Sequence, residues 1–80
     1  MLKEEFEYYL AHQSDLVKKY NGRFIVIMGS KVVDDHDTFE TALFDCQKKY
    51  KAGTYLIQRC LPGEESHTQT FHTRAIFHNA

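Results

Sequence analysis

The chain has little of what marks a secreted, membrane-spanning or nucleic-acid-binding protein. Its two cysteines, Cys46 and Cys60, allow one disulfide at most, which excludes the dense framework that holds many small secreted domains together. The opening residues Met1-Leu2-Lys3-Glu4-Glu5 turn acidic at once and carry no apolar h-region. Together these features predict reduced thiols and a cytoplasmic protein. No apolar run approaches the ~20 residues that span a bilayer; the longest, Phe24 to Met28, has the length of a buried strand. The one proline, Pro62, belongs to no linker or low-complexity stretch. Basic excess is also missing, with ten Lys and Arg against eleven Asp and Glu and a formal net charge of −1. That balance removes the electrostatic footprint of a nucleic-acid or anionic-membrane partner. Three arginines are also few for reading base edges, where Arg to guanine is the commonest contact.

Apolar material is present in quantity. Hydrophobic residues make up 42% of the 80-residue chain and aromatics 14%, too much for a disordered tail and enough for one small domain. A domain of this size buries only about 60–65% of the surface its unfolded chain exposes. It therefore needs an efficient core, or one completed by a second copy of itself.

Periodicity divides the chain into six elements. Phe6, Tyr9, Leu10, Leu16, Val17 and Tyr20 fall at helical spacing and predict a helix over about residues 3–19. Its acids Glu4, Glu5 and Glu7 come first and its bases Lys18 and Lys19 last, as the helix dipole favours, and Asn21-Gly22 ends it. Phe24 to Met28 is continuous and β-branched and reads as a central strand; Gly29-Ser30 turns it into a charged edge strand, Lys31 to Asp35. Asp37-Thr38-Phe39-Glu40 has the form of a capping box, with the Glu three residues after the acceptor Asp37. The helix behind it carries Phe39, Ala42, Leu43, Cys46 and Tyr50 as its stripe, Asp45 paired to Lys48 or Lys49, and Gly53 as its stop. Thr54 to Leu61 is a third strand, ended by Pro62-Gly63, with Glu64-Glu65-Ser66 as a polar turn. The last strand, about His67 to Phe77, sends Phe71, Ala75 and Phe77 one way and Thr68, Thr70, His72 and Arg74 the other. The order α-β-β-α-β-β predicts an α+β domain over residues 1–80. The expected form is a four-stranded antiparallel sheet of order 2-1-3-4 with both helices on one face.

The run Tyr20-Asn21-Gly22-Arg23-Phe24-Ile25-Val26-Ile27, the turn Gly29 to Lys31 and the stretch Ala52-Gly53-Thr54-Tyr55-Leu56-Ile57 resemble a family of small bacterial and archaeal domains of unknown function. The resemblance covers about residues 6 to 60. It implies the same helix–strand–strand–helix–strand pattern. Because members of that family lie beside predicted retropepsin-like aspartic proteases, it also implies such a neighbouring gene product as a partner. It implies no catalytic residue, since the matching positions are turn glycines and core residues.

Candidate chemistry is sparse. Lys48, Lys49 and Lys51 crowd a helix end, where the dipole explains them without a phosphate. His72 and His78 would share a strand face but lie roughly 20 Å apart, and His67 falls on the opposite face from His72. Cys60 with His67 would still need further ligands, so no metal and no cofactor are expected. Cys46 reads as core. Cys60 is the one open thiol, with His72 as the base that could oppose it, but a lowered pKa and an oxyanion donor have no counterpart in the sequence. The adjacent acids Asp34-Asp35 and Glu64-Glu65 point to opposite sides and form no dyad; edge protection and a solvated turn account for them.

With both helices on one face, the other face of the sheet is bare. Gln58, Arg59, Thr68, Thr70, His72 and Arg74 are then its ligand or partner surface. The expected function is a non-enzymatic protein-interaction module that works through this face, most simply as a homodimer. The alternative is a small enzyme with a Cys60/His72 site at a subunit interface. A single-stranded nucleic-acid platform would need Phe71 and Phe77 outside the core and a basic excess the chain lacks.

Overall fold

A computed structural model describes residues 2–72; the expectations for Arg74, Ala75, Ile76, Phe77 and His78 lie outside the described residues. The elements run α1 (Lys3–Tyr20), β1 (Phe24–Met28), β2 (Lys31–His36), α2 (Phe39–Lys49), β3 (Leu56–Arg59), a 3₁₀ helix (Glu64–Thr68) and β4 (Thr70–His72). The strands form one antiparallel sheet in the order β2-β1-β3-β4. The α+β class and the strand order are those expected. Because β2 and β3 both run antiparallel to β1, they are parallel to each other, and α2 is the crossover between them.

The helices lie on opposite faces of this sheet, which corrects the one-sided arrangement. Ile25, Ile27 and Leu56 pack with Leu2, Tyr9 and Leu16 of the α1 side. Val26 and Ile57 pack with Ala42 and Cys46 of α2 and with Tyr55. The cause lies in β1 itself. Successive side chains of a strand point to opposite faces, and Ile25, Val26 and Ile27 are all apolar and completely buried. An apolar residue at every position requires cover on both sides.

Several local features differ from the sequence pattern for identifiable reasons. Leu10 turns away from the core and is 41% exposed, while Glu5 takes an inward position and is buried. The Glu5 carboxylate accepts the Gly29 backbone N–H at 2.8 Å, and Ser30 Oγ donates to Glu4 at 3.2 Å. The first acids of α1 thus hold the β1–β2 hairpin as well as facing the helix dipole. Gly29 takes φ +64 at the first turn position, the conformation a tight two-residue hairpin needs there. Thr38, not Asp37, caps α2: its hydroxyl accepts from Thr41 N–H at 3.1 Å. Asp37 is drawn instead to Arg23, whose guanidinium also donates to Asp35 at 2.7 Å. The segment 64–68 is a 3₁₀ helix, so the described part of the last strand begins at Thr70 rather than near His67.

The register of β1 against β2 shifts between Val26 and Ile27, whose partners are Asp34 and Val32. Val33 is therefore an extra residue, a β-bulge. Val32 stays on the α1 side while Val33 turns to the α2 side. Past the bulge, Asp34 is paired with Val26 and shares its face, as does His36, paired with Phe24.

A two-sided core makes a direct prediction. Ile25→Asn and Val26→Asn should each remove at least about 3 kcal/mol, because each buries an amide without partners. Equilibrium urea unfolding checks this, and a Val26→Asn variant of native stability would mean that the α2 side is open.

Candidate functional site

The bulge brings together four side chains from two elements. Asp34 and His36 stand two residues apart on β2, on the side facing α2; Asp45 and Lys49 stand one turn apart on α2. Lys49 Nζ lies 2.5 Å from Asp34 Oδ2 and 2.9 Å from Asp45 Oδ2. His36 Nε2 lies 3.4 Å from Asp45 Oδ2 and 3.9 Å from Asp34 Oδ2. All four are partly shielded, from 17% side-chain exposure at His36 to 45% at Lys49. The hydrogen bond and charge of Lys49 lower the Asp45 carboxyl's pKa, and the hydrogen bonds to Asp34 and Asp45 raise that of Lys49. His36 Nε2 is cut off from solvent yet has no hydrogen-bond partner. In charge, the cluster sets two carboxylates against one ammonium. In chemistry, it is an ion-pair cluster with an imidazole nitrogen beside it. The sequence signals were present as Asp-x-His on a strand and Asp-x-x-x-Lys on a helix. In the sequence they read separately, as edge protection and helix pairing, because nothing there places the strand beside that helix face.

The residues expected to form one partner surface fall on two sides of the sheet. Gln58 is fully buried on the α1 side. Its amide donates to Ser66 O at 2.7 Å and Arg59 O at 2.8 Å and accepts from the Thr70 hydroxyl. His72 is also on that side, edge-on to Phe6 with 6.0 Å between ring centres. Thr68 is in the 3₁₀ helix and donates to Glu65 O at 3.1 Å. Arg59 points the other way, its guanidinium 5.5 Å from the centre of the Phe24 ring and 3.2 Å from Gln69 Oε1.

Cys60 and His72 do not meet. His72 is paired with Leu56, four residues before Cys60, or roughly 13 Å along a strand. Both thiols are buried, and burial pushes each up to about 11, the reverse of what a nucleophile requires. Cys60 lies instead in the α1-side core. Near it, Tyr9 OH and Ser66 Oγ are 2.6 Å apart, Gln13 Nε2 donates to Leu61 O and Gly63 O at 2.7 Å each, and His67 Nε2 is 3.2 Å from Gln13 Oε1. This network fastens the segment after β3 to α1.

On the α2 side, the crossover helix meets β4 through its first residue, Phe39. A groove of about 210 Å³ opens there, lined by Phe24, Phe39, Ile57, Phe71 and the backbone turn 68–70. Phe39 and Phe71 meet edge-on at 5.2 Å between ring centres, and Phe71 is 37% exposed.

A helix, a hairpin and a crossover helix leading to a third strand define a small split β-α-β domain. The model of a family of unknown function, DUF5678, matches residues 15–58, more than half of the chain, and the chain belongs to this family. The matched span runs from the second half of α1 through β3 and holds Asp34, His36, Asp45 and Lys49; Tyr9, Ser66 and β4 lie outside it. No curated protein and no solved structure matches the chain. No helix of the described residues is long and apolar enough to cross a membrane.

The buried thiols set a pH dependence. An open thiol titrates near 9.0 and these two near 11, so between those values the folded chain holds protons that the unfolded chain has released. Stability therefore falls as pH rises from about 9 to about 11. Urea unfolding across that range should show the decline, and it should be shallower in the Cys46→Ala/Cys60→Ala double variant, with the raised Tyr9, Tyr55 and Lys49 accounting for what remains. Alkylation of either thiol at pH 8 should proceed no faster than the chain opens.

Proposed function

We propose that this domain is a non-enzymatic interaction module that pairs with a second copy of itself in the cytoplasm, through β4 and the aromatic groove beside it. The observation that supports this reading is Phe71. It sits at the middle of the outer strand Thr70–His72 and stays 37% exposed at the mouth of a groove walled by Phe24 and Phe39. An apolar groove at a strand edge suits a partner that adds a strand and inserts side chains at every second position. A two-fold axis through Phe71 would join two copies of β4 antiparallel and set the two Phe71 rings side by side over both grooves, a self-complementary contact. The surface differs from the expected one, since both faces of the sheet carry a helix. It occupies only the margin that α2 leaves free. The raised thiols and the separation of Cys60 from His72 give the enzymatic alternative no support.

Sedimentation at concentrations on the order of tens of micromolar tests this reading. The chain should sediment as a dimer, Phe71→Asp as a monomer with an unchanged circular-dichroism spectrum. Phe44→Asp, at a site 63% exposed on α2, should leave the dimer intact. A monomeric wild type overturns the proposal, and a dimer that survives Phe71→Asp places the interface elsewhere.

A further inference from the structure

We propose that Asp34, His36 and Asp45 form a site for one divalent transition-metal ion, Zn²⁺ being the natural probe, and that Lys49 is the displaceable cation that occupies it in the metal-free protein. The three ligand atoms, one imidazole nitrogen and two carboxylate oxygens, all lie within 4.8 Å of one another. Zinc binds such atoms at about 2.0–2.2 Å in a tetrahedron, which sets neighbouring ligand atoms about 3.3 Å apart. The His36–Asp45 distance of 3.4 Å already meets this, while Asp34, at 3.9 Å from His36 Nε2, must draw in toward both other ligands.

Acidic residues near one another are common, and two carboxylates alone would not carry this assignment. The independent observation is His36. Its Nε2 is shielded from solvent and lies 3.4 and 3.9 Å from the two carboxylates, yet makes no hydrogen bond. A buried polar nitrogen without a partner is costly, and a metal ion would satisfy it through the lone pair. The donor set is mixed nitrogen and oxygen, which suits zinc and its neighbours better than magnesium, an ion that keeps water and prefers oxygen in an octahedron. Three protein ligands leave a fourth position for water on the side where Lys49 now sits.

A cation already sits at this place. Lys49 Nζ bridges the same two carboxylate oxygens that a metal would take. Its side chain is 45% exposed, so it can swing into solvent without repacking the core. Its charge competes with a metal, so wild-type affinity is held down by the lysine. Removing the lysine should therefore tighten binding.

The test uses the full chain, free of any affinity tag, titrated with Zn²⁺ by calorimetry and with Co²⁺ by visible absorption. The wild type should bind one ion. Lys49→Met should bind it at least about ten-fold more tightly, a change of about 1.4 kcal/mol. His36→Gln and Asp45→Asn should each weaken binding by at least about ten-fold. Cobalt bands without a sulfur charge-transfer component would exclude Cys46 and Cys60 as ligands. Circular dichroism of each metal-free variant confirms folding. The comparison of wild type with Lys49→Met removes no ligand, so it stands even if another variant fails to fold. One-to-one binding missing from both wild type and Lys49→Met at millimolar metal, binding undiminished in His36→Gln, or affinity unchanged in Lys49→Met would each overturn the site.

Discussion

Everything in this domain depends on one strand being buried on both sides. In β1 the three central residues are apolar and have no contact with water. Burying a side chain of this kind stabilises by about 1.5–3 kcal/mol, against a total stability on the order of 4–12 kcal/mol for a chain this short. No single helix can supply that cover, since alternate residues face opposite ways. The chain therefore needs a helix before the hairpin for one face and a helix after it for the other. The short crossover from β2 to β3 places α2 over β1 and completes the second core.

Two cores in so few residues leave little material for the joins, and polar side chains serve there. Glu5 reaches from α1 to the hairpin turn, Arg23 ties the start of β1 to Asp35 and Asp37, and Gln58 is enclosed because every amide atom has a partner. The exposed ion pairs of Arg23 contribute little singly, whereas Gln58 would be costly to enclose without its partners. Their role is positional: each fixes where one element crosses another. The Asp34–His36–Asp45–Lys49 group joins the edge strand to α2 in the same way, but it differs in leaving a shielded nitrogen unsatisfied.

The helices, the hairpin turn and the strand order were legible in the sequence because each rests on local spacing: three and four in the helices, two in the strands, glycine at the turn. Sidedness was legible in principle. The unbroken run Phe24 to Met28 marks a central strand, and the same run implies cover on both faces. Matching an α-β-β-α-β-β order to a one-sided sheet hid that implication. The bulge could not be read, since Val32-Val33 is simply two apolar residues in a row until pairing assigns them to opposite faces. Gln58 and Thr70 looked like surface residues for the same reason. A polar residue in a strand gives no sign that its partners lie on segments 8 and 12 residues away. His67, His72 and His78 stand together in the sequence, whereas His36 gains its neighbours only through the bulge and α2.

The Val33 bulge also bears on the β2 edge of the sheet. A sheet has two edges, here β2 and β4. A bulge twists its strand out of register with any flat partner, and inward-pointing charges repel one. The β2 edge has both, with Asp34, Asp35 and Lys31 around the irregularity. The strand addition proposed for β4 thus has no counterpart at β2. Were copies to pair through β4 as proposed, a single usable edge would end the assembly at a closed pair and keep it from propagating into a fibre.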